Sequence, residues 1–327
     1  MASPPSEQSQ IKRDNKNPAC LIVTATAKEY AGELERIAAS PIPYISCTSA
    51  EQALEAYTDE TILFGRPDMI AEILPHMPTV EWVQSSWAGV TPLIEAERRD
   101  YVLTGVKDAF GPQMSEYVIG YMLAHELRVL ERMQKQRQHD WFKGFSGTLH
   151  GKRLGIMGTG SIGRYIATKA NFMDMRVTGL SRCGRPVAVF HKVMPVTRLQ
   201  EFLEGLDYLV SILPDTPGTD RLLDAEALGK LPQHAYLINI GRSNVVDDEA
   251  LIDTLKNKRL AGATLDVFDP EPIPKDSPLW DTPNLTITAH IAAVSLPSLI
   301  VPIFVDNYRR YTSEQPLQYV VDFEAGY

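Results

Sequence analysis

The 327-residue chain is long enough for two domains of ordinary size, and its 44% hydrophobic and 22% charged residues are those of a globular protein. A formal net charge of −9 argues against nucleic acid or an anionic membrane surface as the main partner, because either would be repelled. Cys20, Cys47 and Cys183 form no CxxC and no paired framework, as expected in a reducing compartment, and the seven histidines include no HExxH, so no metal site is expected. Residues 1–17 are rich in Ser, Pro, Gln and Lys and lack the apolar centre of a signal peptide; they read as a disordered tail. No apolar run is long enough to span a bilayer, and a cytoplasmic location is expected.

Residues 19–25 read as a buried parallel strand, followed by a helix over 28–39. Strands at 45–47, 61–64, 81–84 and 101–104 alternate with helices at 49–57 and 68–74. That alternation predicts βαβ units, a parallel sheet and helices on both faces, without a glycine-rich phosphate loop. The loop Ser85-Ser86-Trp87-Ala88-Gly89-Val90 ends the fourth strand, where open α/β sheets place ligands. Its small residues leave backbone N–H groups free for an anion, though an ordinary turn over a core Trp fits as well.

A long amphipathic helix is expected from Ser115, a candidate N-cap, to about Lys135. Val118, Ile119, Met122, Leu123, Leu127, Leu130 and Met133 form its apolar stripe, suited to a bridge between domains or a dimer element.

The stretch that organises the chain follows. A short apolar run ends at Gly158, and the turn reads Gly158-Thr159-Gly160-Ser161-Ile162-Gly163, with helical character to Phe172 and a further strand at 175–180. In a strand-turn-helix dinucleotide site, Gly158 permits the tight turn, Gly160 lets the backbone approach a pyrophosphate, and Gly163 lets helix and strand pack closely. The helix N-terminus adds free N–H groups and a positive dipole end. The second strand ends in Ser181-Arg182-Cys183-Gly184-Arg185, where an NAD site would carry Asp or Glu; Asp174 sits at the wrong end of that strand. Guanidiniums fork onto phosphate oxygens, so Ser181, Arg182 and Arg185 point to the 2′-phosphate of NADP(H), with NAD(H) possible.

Beyond Arg185 a helix is expected at 197–203 and a strand at 208–213. A helix at 224–231, a strand at 235–240, a helix at 247–256, and strands at 262–267 and 285–289 follow. Arg242, Glu271 and His290 lie just past successive strand ends. A cation for a substrate carboxylate, an imidazole to move a proton and a carboxylate to orient and charge that imidazole make a reductase's minimum kit. Singly, each residue also fits a solvated loop or a surface ion pair.

The ordered series resembles the D-2-hydroxyacid dehydrogenase family over nearly everything after Pro18. It runs through Gly158-x-Gly160-x-x-Gly163, Asn239-Ile240-Gly241-Arg242, Asp247 to Leu251, Gly262 to Pro272 and Pro283 to Ala292. The Ser85–Val90 loop, Phe110 to Tyr117 and the ending Val321 to Tyr327 make it similar to the glyoxylate/hydroxypyruvate reductase branch. The resemblance implies an α/β fold of two doubly wound parallel-sheet domains, one Rossmann dinucleotide-binding and one smaller and flavodoxin-like, joined by two crossings. Residues 18–109 with 293–327 would form a discontinuous substrate domain, and 110–292 the NADP-binding domain. It further implies that Arg242 clamps the substrate, that His290 is the acid/base and Glu271 its partner. Trp87, Ala88 and Gly89 would line the substrate site, the last two through backbone N–H groups. Asp266 would hold the nicotinamide carboxamide. Leu213, Pro214 and Thr219 would border the adenosine half, Ile240 and Gly241 the nicotinamide ribose, and Ala292 would also meet the cofactor. A homodimer acting on a small 2-ketoacid or D-2-hydroxyacid is implied.

Some residues depart from the family pattern. Ser243 replaces a usual Gly, Ala289 a usual Pro, and Thr91 a frequent Asp, while Pro302 should remove a hydrogen bond from the final helix and kink it. Formate dehydrogenases lack a Glu at the position of Glu271, so that branch is disfavoured. The remaining rival class is a nucleotide-sensing binding protein of the corepressor kind.

Overall fold

The computed structural model describes residues 17–324, so all but Asn17 of the expected tail lies outside the described residues. The chain divides into two compact units, one running to Ala109 and resuming at Ser295–Tyr327, the other spanning Phe110–Val294.

The first unit is built on five parallel strands, β1 (Cys20–Val23), β2 (Tyr44–Cys47), β3 (Ile62–Gly65), β4 (Trp82–Ser85) and β5 (Val102–Thr104). Their order is β2-β1-β3-β4-β5, the flavodoxin-like arrangement. β1, β3 and β4 are buried at every position, as a parallel sheet covered on both faces requires. Phe64 of β3 stacks on Phe304 of the final helix at 4.3 Å, and Trp82 of β4 stacks on the same ring at 5.4 Å.

The final helix, Pro297–Thr312, carries Pro302 inside it without interruption. Ile300, Val301, Phe304, Val305, Tyr308 and Tyr311 form the buried face. Pro302 and Ser298 are exposed, so water can reach the Ser298 carbonyl that proline leaves without a donor.

The second unit carries seven parallel strands: β6 (Arg153–Met157), β7 (Arg176–Ser181), β8 (Lys192–Pro195), β9 (Tyr208–Ser211), β10 (Tyr236–Asn239), β11 (Gly262–Leu265) and β12 (Leu285–Ile287). Their order is β8-β7-β6-β9-β10-β11-β12, the Rossmann order with one added strand. The topological switch lies between β6 and β9, where ligands enter at the carboxyl edge. β8 was not expected; its Lys192-Val193-Met194-Pro195 is too short and too mixed in polarity to register as a strand on its own, and pairing with β7 creates it. Conversely, β9, β11 and β12 end about two residues early, at Ser211, Leu265 and Ile287, releasing the residues after them into the loops that form the site.

The long helix expected from Ser115 to Lys135 is two helices, Gly111–Glu126 and Val129–Arg137. The break is at Arg128, held in the left-handed region at φ 52°. The carbonyls it strands are taken up elsewhere, Glu126 by the Gly147 N–H at 2.8 Å and Leu127 by Arg132 Nε at 2.7 Å. Ser115 is not the N-cap but a buried residue inside the helix, its hydroxyl donating to the Pro112 carbonyl at 2.7 Å. Val118 and Met122 are fully buried, whereas Leu127, Leu130 and Met133, beyond or beside the break, are exposed.

Candidate active site

The nucleotide turn begins where β6 ends. Gly158 adopts φ +112°, open to glycine and costly for other residues. Gly160 caps the helix Ser161–Phe172, and a Cβ placed there would meet nothing within 4 Å. At Gly163 a Cβ would lie 2.0 Å from the Gly158 carbonyl oxygen, so helix and turn touch backbone to backbone. The three glycines thus divide the work: one makes the turn, one leaves an open approach at a helix N-terminus, and one permits close packing. Thr159, Ser161 and Ile162 lie along the same turn.

Beside it, at the end of β7, lies a cavity of about 300 Å³ lined by Thr159, Arg164, Ser181, Arg182, Cys183, Arg185 and Val187. Three guanidiniums and no carboxylate line it. None of the three forms an ion pair among the described residues. Arg164 was missed in the sequence. Its signal was its place in the first turn of the helix, where the Nε donates to the Thr159 carbonyl at 3.2 Å and holds the head beside the β7 end. Ser181 Oγ accepts from the Gly184 N–H at 3.1 Å, folding the loop between Arg182 and Arg185.

After β9 the loop is closed by Thr219, whose hydroxyl lies 2.7 Å from the Pro214 carbonyl and accepts from the Thr216 N–H at 3.0 Å. A Cβ at Gly241 would sit 2.7 Å from the Leu213 carbonyl oxygen, so the loops after β9 and β10 press together and only glycine fits. Ile240 is buried just before it. Asn239, not singled out from sequence, braces this turn: its amide donates to the Arg242 carbonyl at 3.0 Å and its oxygen accepts from the Gly241 N–H at 3.2 Å. Ser243 starts a single 3₁₀ turn, Ser243–Val245, and does not have a positive φ, so no glycine is needed there. Arg242 donates to the Gly241 carbonyl at 2.8 Å and forms no ion pair among the described residues.

The chemical groups sit on β10, β11 and β12, which are neighbours in register, with Asn239 beside Leu265 and Leu265 beside Ile287. Arg242 follows the first, Asp266 and Glu271 the second, His290 the third. His290 Nδ1 and Glu271 Oε2 are 2.9 Å apart, and Glu271 Oε1 accepts from the Phe268 N–H, also at 2.9 Å. With Nδ1–H given to the carboxylate, Nε2 is left to exchange a proton with a ligand. The imidazole is 53% exposed and the carboxylate 37%, so the pair faces solvent rather than the core. Structure brings this pair into contact; Arg242 forms no hydrogen bond or ion pair with either among the described residues.

Asp266 is 1% exposed and ties this loop down. Its Oδ1 accepts from Thr288 Oγ1 at 2.6 Å and the Ile291 N–H at 2.9 Å, and its Oδ2 from the Ala292 N–H at 2.8 Å. Its own carbonyl accepts from the His290 N–H at 2.8 Å. His290 sits at φ 53°, the left-handed region. The preceding Ala289, where the family pattern has Pro, leaves the turn intact. Among the described residues no group of three His, Cys, Asp or Glu is placed to hold a metal ion.

In the first unit, Trp87 stacks under the Arg66 guanidinium at 4.8 Å, and its N–H donates to Ser85 Oγ at 3.0 Å. The N–H groups of Ala88 and Gly89 find no acceptor among the described residues and remain available to an anion.

Residues 119–292 match the sequence profile of the D-isomer specific 2-hydroxyacid dehydrogenase NAD-binding domain. The chain belongs to the D-isomer specific 2-hydroxyacid dehydrogenase family. It is 31% identical over 264 residues to glyoxylate/hydroxypyruvate reductase A of Serratia proteamaculans, covering 78% of this chain and 84% of that one. Among solved structures, a family protein from Aeromonas salmonicida superposes with TM-score 0.90 at 36% identity, over 94% of this chain and 99% of that one. The NADPH-dependent glyoxylate/hydroxypyruvate reductase of Sinorhizobium meliloti, solved with NADP and sulfate, gives 0.81 at 27% identity over 95% and 100%. A Xanthobacter autotrophicus family member solved with NADPH and MES gives 0.83 at 28% over 95% and 100%. The protein is therefore an NAD(P)-dependent 2-hydroxyacid dehydrogenase, with the parallel α/β architecture expected of it. No helix among the described residues is long and apolar enough to cross a membrane.

Proposed function

We propose that this dehydrogenase uses NADPH to reduce a small 2-ketoacid, such as glyoxylate or hydroxypyruvate, to the D-2-hydroxyacid. The observation that carries the chemistry is the 2.9 Å His290–Glu271 pair on the strand edge that also bears Arg242. The observation that carries the cofactor choice is the cavity lined by Arg164, Arg182 and Arg185 with no carboxylate to repel a 2′-phosphate. Gly158, Gly160 and Gly163 fit a pyrophosphate at the helix N-terminus, with the loops at Leu213, Pro214 and Thr219 and at Ile240 and Gly241 beside it. The glyoxylate/hydroxypyruvate reductase activity by which the Serratia and Sinorhizobium relatives are named supports the substrate class.

When bound, NADPH supplies a hydride to the carbonyl carbon. Arg242 holds the substrate carboxylate and the carbonyl oxygen through its planar fork. His290 Nε2 gives its proton to that oxygen, and the Glu271 carboxylate, bonded to Nδ1, keeps the ring oriented. Ala88 and Gly89 offer N–H groups to an anion, and Trp87 keeps their loop in shape. The exposed apolar side chains of Leu130, Trp141 and Phe145 support a homodimer, for which sedimentation should return the mass of two chains.

Absorbance at 340 nm tests the central reading. Purified enzyme should oxidise NADPH with glyoxylate and hydroxypyruvate and leave it untouched without a ketoacid. Nucleotide binding with no turnover on any 2-ketoacid would instead leave a nucleotide-sensing binding protein.

A further inference from the structure

The helix Gly111–Glu126 has a second stripe besides its apolar one. Tyr117, Tyr121 and His125 recur every four residues, with the Tyr117 and Tyr121 rings 4.6 Å apart and His125 4.6 Å from Tyr236. The first member of this stripe reaches the loop of the acid/base pair. Tyr117 OH lies 2.6 Å from Thr288 Oγ1, which lies 2.6 Å from Asp266 Oδ1.

The direction of these bonds follows from the count of protons. A carboxylate only accepts, and a threonine hydroxyl has one proton to give. Asp266 already takes the N–H groups of Ile291 and Ala292, so Thr288 spends its proton on Asp266 and must accept from Tyr117. The competing acceptor for Thr288, the Leu265 carbonyl, is farther, at 3.5 Å. Burial pushes the Tyr117 hydroxyl well above the usual phenol range, so it keeps the proton it donates. The chain Tyr117→Thr288→Asp266 then meets Ile291 and Ala292 from the other side, and each bond polarises the next.

We propose that Tyr117 and Thr288 are positioning residues for proton transfer: through Asp266 they hold the backbone on which His290 stands. Neither touches the reacting atoms. Asp266 could not keep its present rotamer as firmly with the Ile291 and Ala292 N–H groups alone, because the Thr288 hydroxyl anchors Oδ1 from the helix side. The catalytic part rests on His290 as the acid/base group; the positioning part does not.

The test therefore has two arms. Hydrogen–deuterium exchange of the intact enzyme, without substrate, reads the loop directly. Ile291 and Ala292 should exchange about tenfold faster in Thr288→Val and about fivefold faster in Tyr117→Phe, while Thr288→Ser keeps wild-type protection. The Tyr117→Phe, Thr288→Val double variant should lose no more than Thr288→Val alone, because both act on one chain of bonds. In turnover, kcat should fall by similar factors while the NADPH Kd stays within about twofold, and Ser at position 288 should restore it. Unchanged exchange in both variants, additive losses, or faster exchange with kcat untouched would each overturn the proposal. Turnover absent from the wild type would count against His290 as acid/base, and the exchange arm would still decide the positioning claim.

Discussion

Two ends of one sheet are built on opposite plans. At the β7 end, the cavity of Arg164, Arg182 and Arg185 carries three charges with no counter-charge among the described residues. At the β11–β12 end nearly every group is spoken for: Glu271 by His290 and Phe268, Asp266 by Thr288, Ile291 and Ala292. The first region is unsatisfied and suited to a ligand that brings negative charge. The second is satisfied in advance and suited to chemistry, where groups that need not reorganise lower the barrier. Under the proposed function, binding and catalysis would be separated by how much hydrogen-bonding capacity each region keeps for itself.

The largest effect should come from the one chemical group that breaks the second plan. Arg242 is a cation on that edge without a carboxylate partner among the described residues, and the proposed reaction gives its guanidinium to the substrate. Arg242→Ala should lower kcat/KM for glyoxylate by about 10²–10⁴-fold, the loss of two charge-assisted hydrogen bonds at roughly 1.5–3 kcal/mol each, with NADPH affinity unchanged. Stopped-flow and nucleotide titration would measure the two separately. Retained turnover would remove Arg242 from the mechanism.

A smaller effect should follow from crowding the turn that joins the two regions. Gly163→Ala places a methyl against the Gly158 carbonyl, where backbone and not a flexible side chain must yield. A loss of about 1–3 kcal/mol in stability is expected, seen as a lower urea midpoint, together with weaker NADPH binding. Gly160→Ala meets no atom and should leave stability unchanged; equal losses for both would mean the close approach is not what Gly163 serves.

The two regions also differed in how legible they were in the sequence. The glycine spacing, Arg182 and Arg185, and the order Arg242, Glu271, His290 are local signals whose chemistry depends on residue type and on lying past a strand. The fold followed from alternation, because buried parallel strands read as short apolar runs. What stayed hidden depended on contacts between distant segments. Arg164 had a local signal in its place in the first turn of its helix, but its membership of the basic cavity needs that helix packed on β7. Thr288 and Tyr117 are 171 residues apart, and nothing local marks either of them. The helix from Ser115 to about Lys135 read as continuous because periodicity carries through Arg128; Gly147, which takes up the Glu126 carbonyl at the broken end, lies beyond that stretch, and the Arg132 side chain turning back to Leu127 leaves no mark on the period. Pro302 is carried within its helix because the carbonyl it leaves without a donor lies on the exposed side, which the sequence alone does not show.

The claim that organises the molecule is that the basic cavity chooses the phosphorylated nucleotide. The ratio of kcat/KM for NADPH to that for NADH, measured with one ketoacid in wild type and in the Arg182→Ala, Arg185→Ala double variant, reads it directly. The account predicts a ratio well above one that drops by about 10²-fold or more in the variant, through loss of NADPH affinity with the NADH value unchanged, since each guanidinium–phosphate bond is worth roughly 1.5–3 kcal/mol. A wild-type ratio near one, or equal losses for both nucleotides, would contradict it.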